Sequence, residues 1–243
     1  MVQYNPLQYL PSAEELPDSD DTPVDNELQN LIPNLLRAIL AWLWAERTDW
    51  FLGINMGVYY EPKTDAIVPD SFLSLGVERF KEGNKLRPSY VIWQENNIVP
   101  LWVLEVVSKT PGNEYGNKMT KYAEMGVLYY TIYNSDYWQR DEHDPFEVYR
   151  LENGVYVRQS GNPVWMPEID LGIGCERGTH EGCTRDWLYW YDEQGNRFPA
   201  PANVIEQERQ RAEIERLRAN QLEQQLEALI TKLQERGIDP NSL

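Results

Sequence analysis

The sequence predicts an α/β domain that ends in β hairpins and is followed by one long helix. Three observations predict it. A leucine-rich amphipathic segment precedes several short apolar runs rich in β-branched and aromatic residues. A second helical rhythm lies between two of those runs. From Ala202 to Arg236 the chain has no Gly or Pro at all.

The elements follow in order. Residues 1–25, with "PSAEELPDSDDTP", are acidic and proline-punctuated, and predict a flexible arm or an extended strap. From about Asp25 to Arg47 a helix is expected. Leu28, Leu31, Ile32, Leu35, Leu36, Ile39, Leu40 and Leu43 recur at the three- and four-residue spacings of one buried face. Pro33 interrupts that pattern and predicts a kink or a later start. Strand-like pieces follow in "WFLGINMGVYYE", "AIVPDSFLSL", "SYVIWQEN" and "PLWVLEVVSKT". In "TPGNEYGNKMTKYAEMGV", Pro111-Gly112 predicts a turn, Asn113 an N-cap and Gly126 a C-terminal stop, with about three helical turns between.

"LYYTIYN" then reads as a buried strand. "FEVYRLENGVYVRQS" reads as a hairpin turning at Asn153-Gly154. A second hairpin-like pair, "DWLYWYDEQGNRF", is expected to turn at Gly195. This gives an acidic arm over 1–25, a domain over 26–200 and a tail over 201–243. In the tail, Leu222, Leu226, Leu229 and Leu233 have the four-three-four spacing of a coiled-coil seam. Upstream the same register carries Glu208, Ala212, Glu215 and Ala219, so a two-heptad zipper and a solvated helix are equally supported. Thirty-five helical residues would extend about 52 Å.

Composition narrows the function classes. The 243 residues carry a net charge of −17, which disfavours a nucleic-acid partner unless a local basic patch or metal ions mediate contact. Seven of the acids lie in the first 27 residues, which hold no base. The longest apolar stretch, "LLRAILAWLW", is broken by Arg37 and falls short of a membrane span. The N-terminus has neither a basic start nor an apolar core, so no export signal is expected. Two cysteines do not make a disulfide framework. A soluble cytoplasmic protein is the expectation.

Glu105 is the residue that most needs explaining. It stands inside an apolar run, Leu101 to Val107, that reads as a strand buried on both faces. A carboxylate there is costly to desolvate, so it must be paired, protonated or bound to a cation. A hard divalent cation is the economical partner. Asp70 is the second acid in a suitable setting, because Pro69 breaks regular strand pairing just before it. Glu114, Lys118 and Tyr122 stand at i, i+4 and i+8 on the following helix and form one stripe. The stripe bears on Glu105 only if it faces the ends of the strands.

These residues together carry a resemblance. "PD", a long spacer, "EVVS", a short loop, "E-x3-K-x3-Y-x3-GV" and an aromatic strand resemble the Uma-two family over roughly residues 26–135. That bacterial group is described as endonucleases of the PD-(D/E)xK restriction-endonuclease-like superfamily. The resemblance implies a restriction-endonuclease-like core, with a mixed central sheet flanked by helices. It also implies DNA cleavage with Mg²⁺ or Mn²⁺. Asp70 and Glu105 would bind the metal, the Val106 carbonyl could complete its site, and Lys118 would be the catalytic lysine. In one respect the sequence departs from the superfamily pattern. The lysine expected two residues after the second acid is replaced by Val107, and Lys118 on the next helix takes that role. Lys109 ranks behind it, and Glu27 is an uncommitted candidate from the first helix.

A zinc site from His143, Cys175, His180 and Cys183 is disfavoured, because the spacing lacks paired CxxC knuckles. Two readings therefore stand. One is a Mg²⁺-dependent endonuclease acting on DNA, expected to be a homodimer formed partly through the C-terminal helix. The other is a catalytically inactive nuclease-like module that binds proteins through its tail. The acidic charge favours the second, and the complete Asp70, Glu105 and Lys118 set favours the first.

Overall fold

Leu28, Ile32, Leu35, Leu36, Ile39 and Leu40 form the buried face of the first helix, α1 (Leu28–Leu43). The computed structural model describes residues 10–17 and 26–235. In it α1 starts five residues before Pro33 and runs through it, so the expected late start is not adopted. Among the described residues, eleven strands and three further α-helices follow. They are β1 (Trp50–Ile54), β2 (Val58–Tyr59), β3 (Ser71–Leu75), β4 (Tyr90–Val91), β5 (Trp102–Val106), α2 (Asn117–Met125), β6 (Tyr129–Tyr133) and α3 (Trp138–Asp141). After these come β7 (Phe146–Glu152), β8 (Val155–Arg158), β9 (Val164–Met166), β10 (Leu171–His180), β11 (Cys183–Tyr191) and α4 (Pro201–Glu235).

Six strands make the central sheet in the order β1-β3-β5-β6-β7-β8. Only β5 and β6 run parallel, joined by the crossover that contains α2; the other neighbours are antiparallel. The sheet is therefore mixed, as the sequence leads one to expect. β5 is buried along its whole length because both of its faces are covered. On one face Trp102 packs edge-on to Trp190 of β11 at 5.0 Å, and the Trp190 Nε1–H donates to the Leu36 carbonyl of α1 at 3.0 Å. On the other, Val103, Phe72, Tyr122 and Tyr130 belong to one apolar cluster.

The β7–β8 hairpin turns at Asn153-Gly154, both at positive φ, which Asn tolerates and Gly, without a Cβ, adopts freely. The last strands differ from expectation. β11 pairs with β10 along nine residues of each, turning at Glu181-Gly182, and β9 completes a three-stranded antiparallel sheet. The Gly195 turn exists, but only one bridge, Tyr191 to Arg197, closes it. Of the acidic arm, residues 10–17 lie against the domain. The Trp93 indole donates to the Pro11 carbonyl, and Ala13 is buried with Tyr59 and Val91. The remainder of the arm lies outside the described residues.

Contacts divide the chain into two units between Phe198 and Pro199. The second unit is α4, with Pro201 at its first position, where a missing N–H costs nothing. Leu222, Leu226 and Leu229 are each more than half exposed on it. The side chain of Leu233 is outside the described set. No described helix is long and apolar enough to cross a membrane.

Candidate active site

β3 and β5 pair antiparallel with Ser71 opposite Leu104. Extending that register by one residue puts Asp70 opposite Glu105. The two acids thus share one face and one end of the sheet, although 35 positions separate them in the chain. Pro69 has no N–H to pair, and Asp70 precedes the first residue of β3. Its carboxylate turns to the neighbouring strand, where Oδ2 accepts the Val106 N–H at 2.6 Å.

Glu105 is almost completely buried and fully engaged. Its Oε2 accepts from Lys118 Nζ at 2.9 Å, and its Oε1 accepts from the Tyr122 hydroxyl at 2.5 Å. The stripe read in the sequence therefore faces the strand ends. Its two helical members, one turn apart, hold the two oxygens of a single carboxylate. Gly126 stops the helix in the left-handed conformation, as expected. The start differs. Asn113 is at positive φ and is not a cap; α2 begins at Asn117, after Gly116. Glu114 belongs to the preceding turn, where both its oxygens accept the Gly112 N–H. A Cβ at position 112 would meet Glu114 Oε1 at 2.6 Å and would displace that carboxylate.

The electrostatics follow from burial. Desolvation, then the charge of Glu105, push Asp70 well above the ordinary carboxylate range, against the lowering effect of the Val106 N–H. Glu105 is also raised by burial, and the charge of Lys118 with the hydroxyl of Tyr122 pulls it back. Burial alone would lower Lys118, but Glu105 as charge and as bond partner, with the charges of Asp70 and Glu114, outweighs it, so the ammonium is held protonated. Burial and Glu105 likewise keep the Tyr122 hydroxyl protonated. Two buried carboxylates thus face one ammonium, with Glu114 adding negative potential. Glu105 has its cation. Asp70 is the undercompensated acid.

The lysine that reaches Glu105 stands on α2, not on β5. Val107, at the position the superfamily pattern gives to lysine, is 4% exposed within the apolar cluster, where an ammonium would be stranded. Lys109 is exposed beyond β5, and its carbonyl accepts from Arg140. Glu27, the residue before Leu28, already has helical dihedrals and makes no side-chain cap bond. The α1 residue that does reach the site was not foreseen. Gln29 Nε2 donates to the Val106 carbonyl at 3.4 Å, while its Oε1 accepts the Asn26 N–H and its own N–H bonds Asn26 Oδ1. This is a reciprocal capping box. The Asn26-x-x-Gln29 spacing was the available signal.

A hard cation of the Mg²⁺ type needs one or two carboxylates and keeps several waters. Asp70 and Glu105, adjacent and short of positive charge, have that donor chemistry. No group of three or more His, Cys, Asp or Glu among the described residues is arranged to hold a metal. Of the disfavoured zinc set, His143 stacks on Tyr115 at 3.6 Å, whereas Cys175, His180 and Cys183 lie on the β10–β11 hairpin.

Comparison with known proteins adds the following. A family model described as "Uma2: Putative restriction endonuclease" matches residues 20–178. Among solved structures, one titled "Crystal structure of a putative nuclease belonging to DUF820 from Anabaena variabilis ATCC 29413" is similar at 12% identity and a TM-score of 0.46, covering 64% of this chain and 89% of that one. No match is found among curated proteins.

The undercompensated Asp70 yields a test with a definite sign. A carboxyl whose folded-state pKa is raised destabilises the fold when ionised, and that penalty fades as pH falls through the raised value. In metal-free buffer at about pH 8, Asp70→Asn is therefore expected to melt above the parent, by roughly 2–4 °C per kcal/mol relieved. The gap should close as pH is lowered towards the ordinary carboxylate range. Thermal unfolding followed by circular dichroism across that range measures it. A variant that melts below the parent at about pH 8 would make Asp70 a stabilising acid instead.

Proposed function

Because this chain belongs to the Uma2 family, we propose that it is an endonuclease that hydrolyses DNA phosphodiester bonds in the cytoplasm with a divalent cation, Mg²⁺ or Mn²⁺. Asp70 and Glu105 would hold the cation, and Lys118 would act beside it, in the manner of the PD-(D/E)xK superfamily. The observation that carries this reading is the convergence of the three groups. Lys118 donates to Glu105 at 2.9 Å, and Asp70 stands opposite Glu105 in the register of β3 and β5. When bound, the cation supplies positive charge to a phosphate oxygen and acidifies a water.

The protein's own residues do the rest. The Val106 N–H and the Tyr122 hydroxyl fix the carboxylates before substrate arrives, so little reorganisation is needed during reaction. Lys118 keeps its proton at Nζ and can turn a donor to the phosphate oxygen on which charge grows. Gln29 steadies the Val106 carbonyl, the oxygen that the family pattern offers as a further ligand. Water attacks phosphorus directly, and no covalent enzyme intermediate is required. The reading as an inactive interaction module gains nothing from the family match.

Cleavage of plasmid, linear and single-stranded DNA with Mg²⁺ or Mn²⁺ tests the proposal. Glu105→Gln and Lys118→Met are each expected to reduce cleavage by about 10²-fold or more while remaining folded. Cleavage by Glu105→Gln at the parent's rate would move the reaction elsewhere.

A homodimer completes the proposal, since two sites suit the cutting of both strands of a duplex. The exposed Leu222, Leu226 and Leu229 stripe on α4 would add to the interface, although two heptads alone are marginal. Light scattering on the full chain and on a chain ending at Pro201 is the check. The dimer should weaken in the shorter chain, and a full-length monomer at tens of micromolar would remove the claim.

A further inference from the structure

A second site lies at the other end of β3 from Asp70. The C-terminal end of α1, the start of β1 and the segment after β3 border an open cavity of about 560 Å³, lined in part by Trp44, Arg47, Trp50, Arg79, Phe80 and Lys81. This volume is within the usual range for small-molecule pockets. Trp44 and Trp50 meet edge to face at 5.6 Å, and the Arg47 guanidinium lies over Trp44 at 4.6 Å. The Arg79 guanidinium lies over Trp50 at 4.9 Å and over Phe80 at 4.8 Å.

The cations there are not equivalent. Arg47 is paired with Asp49, and Lys81 with Glu95. Arg87, nearby and buried, is bonded to Glu95 through two nitrogens. Among the described residues, Arg79 alone of these four has no carboxylate partner, and none accepts a hydrogen bond from its guanidinium. Partial burial, then the charges of Arg37 and Arg87, disfavour its charged form. Glu78 and Glu82 also line the cavity, but both are exposed to solvent and neither pairs with Arg79. An arginine in this state has its rings but lacks an anion. Its planar fork suits the two oxygens of a phosphate. Phe80, 47% exposed, leaves a ring in solvent beside it, and such rings stack nucleobases.

We propose that this cavity binds a nucleoside phosphate, with Arg79 bonding the phosphate and Phe80 stacking the base. The ligand can come from two sources: a free nucleotide, or one unit of a nucleic-acid strand. Only the second rests on the nuclease reading. β3 spans about 17 Å at roughly 3.3 Å per residue, so a strand reaching from the cavity to Asp70 would pass several phosphates along it.

Binding to the full-length protein in EDTA, where no metal-dependent cleavage occurs, tests this with two probes. One is dAMP, followed by calorimetry; the other is a labelled ten-residue oligo-dA, followed by fluorescence anisotropy. Arg79→Gln is expected to weaken binding about tenfold, and Phe80→Ala about fivefold or more. Phe80 is exposed, so its variant keeps the fold and the test survives even if Arg79→Gln does not. Binding of dAMP and of the oligonucleotide with similar affinity supports a free-nucleotide site, and much tighter binding of the oligonucleotide supports the strand. The proposal is overturned if neither probe binds the parent below about 1 mM, if Phe80→Ala binds as well as the parent, or if inorganic phosphate binds as tightly as dAMP. A parent that binds the probes yet cuts no DNA would refute the nuclease reading and leave this one intact.

Discussion

Two carboxylates facing each other across the β3–β5 ladder are the constraint around which this end of the domain is built. Antiparallel register brings Asp70 opposite Glu105, and closure of the sheet over β5 removes the water that would have solvated them. A single ammonium, Lys118, reaches in to Glu105. For that, α2 must be anchored against the sheet, and Tyr122 does this by burying its ring against Tyr130 while its hydroxyl holds Glu105. Tyr130 in turn donates to the Glu114 carbonyl and fixes the turn from which α2 starts. The aromatic residues of β6 and α2 thus set the geometry of a charged site from within an apolar cluster.

The charges do not balance, and the imbalance is local. Proteins tolerate buried ion pairs when each member is bonded, and find an unpaired buried charge costly. Glu105 satisfies that condition; Asp70 has one backbone N–H. The pair is therefore poised to gain from a further positive charge, which a site assembled only for stability would already contain. The strongly negative chain adds a second consequence. Approach of a polyanion depends on places where a cation has no carboxylate partner among the described residues, and Arg79 at the far end of β3 is one of them.

Much of the site was legible because burial makes charge conspicuous. Glu105 stood out inside an apolar run, and Lys118 and Tyr122 stood out by helical spacing. The pairing that brings Asp70 to them is a long-range contact. It was inferred from Pro69 and from family resemblance, not from any local pattern. The start of α2 was misread because Asn113, a favoured cap residue, also tolerates positive φ and takes that role in the turn. The long β10–β11 hairpin was missed because its outer half, around "CERGTHEGCTRD", is largely exposed and carries no apolar alternation to reveal it. Gln29 was overlooked because a polar residue in a first helical turn looks like a solvated cap, and only the tertiary fold brings Val106 to it. The Arg79 cavity had no sequence signal at all, since its rings and cations come from two segments brought together by the pairing of β1 with β3.

The central claim is that Asp70 and Glu105 form one cation site. Calorimetric titration of Mn²⁺ into the metal-free full-length protein tests it most directly, because it reads the cation and not the reaction. The account predicts saturable binding near one ion per chain, lost on Asp70→Asn and on Glu105→Gln and retained on Arg79→Gln. Binding of equal strength and stoichiometry in the parent and in Asp70→Asn would contradict it.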